Sequence, residues 1–230
     1  MKIIAAGDFH FPAENKKALE LFEKYLGQDS LDYLILGGDL IDFSYLSKYS
    51  IGNLRSIEGK RIVKDYDYAN KYLDKFDKLA RKIKKIFLVG NHDDRIRKYI
   101  DANPNLEGLL ELPESLRLKE RDYQVVYSYP EGEVFKIANL TFTHGNYTNQ
   151  FHAKKHLENY DTSIVYFHTH TFQSFTKSRF DKRGIRTAQA VGCMCNYEQD
   201  YMGKKPSSWQ TGFLIIEVDK VCTKFTSVMV

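Results

Sequence analysis

The chain has 230 residues, of which 43% are hydrophobic and 28% charged, and its formal charge is +4. This composition argues against a disordered chain and allows a sizeable core, which 31 Phe and Tyr residues make aromatic. The positive balance leans towards anionic partners but falls far short of the basicity that by itself announces nucleic-acid binding.

At the N-terminus, Lys2 to Gly7 reads as a short buried strand, and Asn15 to Tyr25 follows as a helix with Leu19, Phe22 and Leu26 on one face. The apolar run Ile3 to Ala6 is too brief for a signal peptide, and no window reaches the length of a membrane span, so a cytoplasmic protein with no membrane partner is expected. Tyr33 to Gly37 repeats the strand, and Gly37-Gly38 allows a tight turn from which Asp39 projects. After a loop rich in Tyr and Ser, Ile62, Tyr66, Ala69, Leu73, Phe76, Ala80 and Ile83 recur in steps of four and three, as on a long amphipathic helix. Intramolecular packing explains that stripe better than a coiled-coil partner, because under three heptads run straight into another strand. Lys78, Arg81, Lys82, Lys84 and Lys85 crowd its end, where cations complement the negative pole of the helix. Ile86 to Gly90 is the third strand and Asp93 to Ile100 the next helix, a βαβ rhythm that implies parallel pairing.

Beyond Pro113 the pattern shifts to short strands, Gln124 to Tyr129, Glu133 to Ile137 and Leu140 to Thr143, which predict a second, more antiparallel sheet. His152 to Tyr160 reads as a helix and Ser163 to Phe167 as a strand. Phe172 to Phe180 and Ile185 to Val191 form a hairpin around residues 181–184. Phe213 to Val218 and Val221 to Val230 form a closing hairpin around Asp219-Lys220. No linker or composition break interrupts this order. The expectation is therefore one domain spanning 1–230, with the C-terminal hairpins and segment 192–230 completing the second sheet and covering the cleft. Cys193, Cys195 and Cys222 are an odd set, and Met194 alone separates the first two, so a reducing compartment is favoured over a disulfide framework. The Cys-x-Cys pair lacks the two-residue gap of a zinc knuckle and reads as buried strand thiols.

Five blocks at the ends of expected strands carry the chemistry: Gly7-Asp8-Phe9-His10, Gly37-Gly38-Asp39-Leu40-Ile41-Asp42, Gly90-Asn91-His92-Asp93, Thr143-His144-Gly145 and His168-Thr169-His170. Five of the seven histidines fall in them. Nitrogen and carboxylate donors grouped in this way form a ligand set for two metal ions. In extended backbone Asp8 and His10 would point the same way while Phe9 turns into the protein, and His168 and His170 would repeat the arrangement. His152 and His156 lie one helical turn apart without a third donor nearby, which favours a surface or cleft-lining pair over a zinc site.

The ordered series Asp-x-His, Gly-Asp-x-x-Asp, Gly-Asn-His-Asp, His-Gly and His-x-His, spanning residues 8 to 170, resembles the calcineurin-like metallophosphoesterases. The resemblance implies an α/β fold of two packed mixed β-sheets flanked by helices. It implies that Asp8, His10 and His170 hold one metal, that Asn91, His144 and His168 hold a second, and that Asp39 bridges them. His92 becomes the acid or transition-state donor beside phosphorus, and Asp42 the group that orients it and stabilises its protonated form. Two divalent ions are implied, manganese first, with zinc, iron or nickel also suited to the donor set. Together they would direct a bridging hydroxide at a phosphoester.

Departures from the family pattern shape the expected substrate. Phe11-Pro12 follows the first histidine, and Phe167 stands where a glycine commonly precedes His-x-His; both are expected to narrow the site. Phe43 replaces the phosphate-gripping arginine of the serine/threonine phosphatase branch, and Asp93 its glutamate, which disfavours protein phosphatase activity. Arg95 is placed either to reach phosphate from a helix start or to face solvent, two readings of equal weight. The segment from Gly192-Cys193-Met194-Cys195 to Trp209-Gln210-Thr211-Gly212-Phe213 resembles the C-terminal part of phage and prophage members, whose setting would be a host cytoplasm. Tyr197, Tyr201 and Trp209, interleaved with Lys204, Lys205 and Pro206, are candidates to stack on bases, with a packed loop held by an aromatic anchor the favoured alternative. The first expectation is thus a metal-dependent phosphodiesterase or nuclease acting on DNA, RNA or a nucleotide. A phosphomonoesterase for a small metabolite and a non-catalytic binding scaffold are the alternatives, and the sequence carries no signature of oligomeric state.

Overall fold

Three apolar runs, Ile3 to Ala6, Leu34 to Leu36 and Ile86 to Leu88, are buried on both faces, as central strands of a covered parallel sheet must be. The computed structural model describes residues 1–47, 50, 54–178, 184–196, 208–220 and 222–230. The strands are β1 (Lys2–Ala6), β2 (Tyr33–Leu36), β3 (Lys84–Leu88), β4 (Tyr123–Val126), β5 (Phe135–Ile137), β6 (Leu140–Thr143), β7 (Ser163–Tyr166), β8 (Ser174–Ser178), β9 (Ile185–Ala190), β10 (Gly212–Val218) and β11 (Thr223–Met229). The helices are α1 (Lys16–Leu26), α2 (Leu54–Ile57), α3 (Ile62–Leu79), α4 (Arg95–Ala102), α5 (Leu112–Ser115) and α6 (His152–Asn159).

One sheet has the order β11-β10-β1-β2-β3-β4, parallel from β1 to β4 with an antiparallel hairpin on the β1 side. The other has the order β5-β6-β7-β9-β8, parallel in its middle and antiparallel at both edges. Alternation along β1 divides the core. Ile3 and Ala5 meet Phe142 and Val165 of the facing sheet, whereas Ile4 and Ala6 turn to the helical side. There α1 and α3 lay down their apolar stripes, with Phe22 edge-on to Phe76 at 5.3 Å and to Phe213 at 5.5 Å. Such aromatic edges add about 0.5–1.5 kcal/mol each beyond the area they bury. On the outside of the second sheet, α6 packs Ala153 and Leu157 over Ile164, Tyr166 and Ala188.

The two mixed sheets flanked by helices match the expected fold class, and several placements differ from the sequence reading. β4 joins the first sheet rather than the second, because the Leu112 to Arg121 segment carries the chain back across to pair Tyr123–Val126 with β3. Arg121 anchors that return: its buried guanidinium, 6% exposed, binds Asp74 at 2.6 Å and Asp77 at 2.5 Å on α3. The closing hairpin β10–β11 also completes the first sheet, not the second, since the fully apolar Phe213–Ile216 run needs both faces covered and finds that beside β1. α3 stops at Leu79, and Lys84 and Lys85 open β3, where their ammonium groups sit over the rings of Tyr33 and Tyr123. α1 begins one residue late because Asn15 is its cap, its side chain accepting from the Ala18 amide at 3.1 Å.

Candidate metal centre

Parallel strands deliver the loops at their C-terminal ends to one edge of a sheet. β1 leads to Asp8 and His10, β2 to Asp39 and Asp42, and β3 to Asn91 and His92. From the facing sheet β6 leads to His144 and β7 to His168 and His170. The structure thus brings together all nine residues that the sequence singled out as ligands or acid–base groups.

Extended alternation does not aim them. Asp8, His10, Asp39, His168 and His170 all have left-handed backbone, with φ of 53°, 49°, 51°, 74° and 56°. For residues other than glycine this costs on the order of 1–3 kcal/mol each and persists only where the surroundings over-determine it. Asp93 is one such determinant, and its role was not legible in the motif. Its buried carboxylate accepts from the amides of Asp39, Leu40, Ile41 and Gly90 at 2.7, 3.0, 3.3 and 3.0 Å. Burial and the neighbouring Asp39 charge push its carboxyl up to about 7, against those amides. Gly90 is needed because a Cβ there would lie 2.2 Å from Asp39 Oδ1. Ser128 is a second support not singled out from sequence, its hydroxyl accepting from the His144 amide at 2.8 Å.

The donors converge in two groups around Asp39. Asp39 Oδ2 lies 3.4 Å from His144 Nε2 and 3.9 Å from His10 Nε2, while Oδ1 accepts from the His92 amide at 2.7 Å. On one side His10 Nε2 and His170 Nε2 are 3.2 Å apart, and His170 Nε2 is 3.4 Å from Asp8 Oδ1. On the other, His144 Nε2 is 3.0 Å from Asn91 Oδ1, and His168 joins Asp39 and His144 in a cluster of ligand atoms within 4.8 Å of one another. The His144 Nδ1 lies 2.8 Å from the Gly37 carbonyl and donates to it, which leaves the Nε2 lone pair facing the cluster. Asp8 Oδ1 is buried without a hydrogen-bond partner, its other oxygen taking the His168 amide at 3.0 Å. Imidazole nitrogens in contact and an orphaned carboxylate oxygen beside them are what a pair of cations would satisfy, so the residues fit a dinuclear centre.

Electrostatics agree. Burial alone would raise Asp39, yet His144, His92 and His10 hold its carboxyl well below the usual range, keeping it anionic. Burial would lower His144, but Asp39 and Asp8 lift it to about 9, so a proton here takes up negative charge that a cation would otherwise balance. His168 is pushed down to about 4 by burial and by His144.

Asp42 Oδ1 lies 3.0 Å from His92 Nδ1 and 3.2 Å from His10 Nδ1, so one carboxylate steadies both rings. Against its burial, those two histidines hold Asp42 far below the ordinary carboxylate range. Arg95 donates to the Asp42 carbonyl at 2.8 Å and sets Nη2 3.0 Å from His92 Nε2, beside the cluster rather than in solvent. Trp209 packs edge-on against His170, ring centroids 4.0 Å apart. Tyr197, Tyr201, Lys204, Lys205 and Pro206 lie outside the described residues.

Two expectations are corrected. Phe11 and Phe167 do not narrow the cleft. Both are fully buried, Phe11 stacked on Tyr72 at 4.6 Å and Phe167 in the inter-sheet core against the Cβ-free faces of Gly7 and Gly37. His152 and His156 are core residues rather than a surface pair: His152 meets the Tyr166 hydroxyl at 2.6 Å, and His156 stacks on the Tyr166 ring at 3.7 Å. Cys193 and Cys195 are buried free thiols as expected, and the Cys195 sulfur also falls within 4.8 Å of ring nitrogens of both His10 and His170.

The family model for calcineurin-like phosphoesterases matches residues 1–201. Among solved structures, a Vps29 single mutant from Entamoeba histolytica is similar at 16% identity and a TM-score of 0.47, over 100% of this chain and 99% of that one. Vps29 from Chaetomium thermophilum is similar at 12% identity and 0.48, over 100% and 97%. The nuclease MPE of Pseudomonas putida is similar at 10% identity and 0.39, over 97% and 86%. A search of curated proteins found no match. Among the described residues no helix is long and apolar enough to cross a membrane.

Proposed function

The chain belongs to the calcineurin-like phosphoesterase family and is a metal-dependent phosphoric ester hydrolase, and we propose that it cleaves phosphodiesters at a dinuclear centre bridged by Asp39. Asp8, His10 and His170 would hold one cation, and Asn91, His144 and His168 the other. The observation that carries this is the placement of the Asp39 carboxylate between His10 Nε2 and His144 Nε2, at 3.9 and 3.4 Å. When bound, two divalent cations supply Lewis acidity to the phosphoryl oxygens and a nucleophilic water near neutral pH.

The chain's own residues do the rest. Asp42 fixes the His92 ring through Nδ1, which leaves Nε2 facing the cleft as the atom that meets the phosphoryl group or hands a proton to the leaving oxygen. The Arg95 guanidinium, next to that nitrogen, turns to a phosphate oxygen when substrate enters, which frees Nε2 to carry its proton. Trp209 offers a ring beside His170 on which a base stacks, a contact worth about 1–3 kcal/mol in single-strand binders. With the chain's net positive charge, these features favour a nucleotide or nucleic-acid diester over a small monoester.

Rates on bis(p-nitrophenyl) phosphate and p-nitrophenyl phosphate, measured with manganese and with zinc, test the preference. Faster diester cleavage is expected; substantially faster monoester cleavage would reverse it.

A further inference from the structure

Segment 193–195 is pinned beneath the first ligand loop. The Met194 amide is shared between the Gly7 and Asp8 carbonyls at 3.2 and 3.1 Å, and the Asn15 amide donates to the Met194 carbonyl at 2.8 Å. Bridges pair Gly7 with Cys193 and Glu14 with Cys195, and the Asn196 amide donates to the Ala13 carbonyl at 2.9 Å. The backbone is thus held on both sides of Cys195, and its sulfur lies within 4.8 Å of ligand nitrogens on His10 and His170. Those two histidines meet Nε2 to Nε2 at 3.2 Å beside the buried Asp8 Oδ1, which makes no hydrogen bond and lies 3.4 Å from His170 Nε2.

From this geometry, and resting on the dinuclear reading above, we propose that Cys195 supplies a thiolate ligand to the cation held by Asp8, His10 and His170. Zinc binds sulfur at about 2.3 Å and imidazole nitrogen at about 2.0–2.1 Å, so donors on one ion are separated by less than the observed limit. A coordinating thiol surrenders its proton to the metal, so no prior ionisation is required. Sulfur also changes which ion fits. Thiolate favours zinc, cobalt and other thiophilic ions and disfavours manganese, while the Asn91, His144 and His168 position keeps a nitrogen and oxygen set that manganese tolerates. The two positions therefore differ in kind, the first selecting zinc and the second accepting a harder ion.

Cobalt(II) reads this out without turnover, because a thiolate bound to cobalt gives an intense charge-transfer band in the near ultraviolet. The full chain carrying Cys222→Ser, which removes the exposed thiol, would be loaded with cobalt, its metal content measured and its spectrum recorded. Cys195→Ser and Cys193→Ser would be compared in the same background, with circular dichroism to verify folding. We expect the band in the parent protein, its loss with Cys195→Ser, its retention with Cys193→Ser, and at least a tenfold fall in the preference for zinc over manganese with Cys195→Ser. Cobalt bound in the parent without the band would overturn the thiolate while leaving the dinuclear reading intact. A band that follows Cys193 instead would overturn the assignment to Cys195, and failure to bind cobalt at all would sink both.

Discussion

His92 and Asp42 set the sharpest expectation at the scale of single residues. Because His92 Nδ1 is held by Asp42 and its Nε2 lies beside the Arg95 guanidinium next to the donor cluster, His92→Gln should lower kcat by roughly 10²- to 10⁴-fold with metal content unchanged. Asp42→Asn keeps the shape but removes the charge that steadies His10 and His92, and a fall of about 10- to 100-fold is expected. Steady-state kinetics alongside metal analysis decide both, and an unaltered kcat in fully loaded His92→Gln would remove that residue from the chemistry. The proposed ligands stood out in the sequence because each sits one to four residues past an apolar strand, so strand reading and motif reading coincide at Asp8, Asp39, Asn91, His144 and His168. What aims them was not legible. Left-handed backbone at Asp8 and His10 is held by main-chain contacts with Gly38, Asp39 and the Met194 segment, all distant in sequence. Cys195 was missed for the same reason: a Cys-x-Cys spacing says nothing of histidines 185 and 25 residues away that the fold brings to it.

Among the elements, α3 and α6 carry expectations about stability. Arg121 joins the β4 approach to α3 through Asp74, Asp77 and Asn70, so Arg121→Ala strands part of that acidic pair. A loss of about 2–3 kcal/mol in urea unfolding is expected, below the full range for breaking a buried pair because Asp74 is half exposed. A change under about 0.5 kcal/mol would show that the clamp is dispensable. In α6, burial, with the nearby His152 and His168, pushes His156 down to about 4, while its Nε2 accepts from the Asn146 amide at 3.2 Å and its ring packs against Tyr147 and Tyr166. The unfolded chain takes up this proton near pH 6.5 and the folded chain only near 4. The contribution is therefore complete above about 6.5 and lost as pH falls through that window, by up to about 3 kcal/mol. His156→Gln should flatten the unfolding free energy between pH 7 and 5, and an unchanged slope would contradict the assignment. Element identity was readable from periodicity, but sheet membership was not, since β4 and the closing hairpin are placed by covering partners rather than by their own pattern.

For the whole molecule, the donors come from both sheets: Asp8, His10, Asp39 and Asn91 from the first, His144, His168 and His170 from the second. On the proposed reading, cations at this seam would staple the sheets together. With free metal at 100 times its Kd, binding adds about 2.7 kcal/mol, so chelation should lower Tm by about 5–10 °C for a chain of this size. Calorimetry with and without EDTA measures this, and an unmoved Tm would mean that metal does not bridge the sheets. The most direct test of the shared Asp39 carboxylate is anomalous scattering from crystals grown with zinc and manganese. Two peaks about 3.5–4 Å apart on either side of Asp39 are expected. A single ion, or ions out of reach of that side chain, would contradict the dinuclear centre.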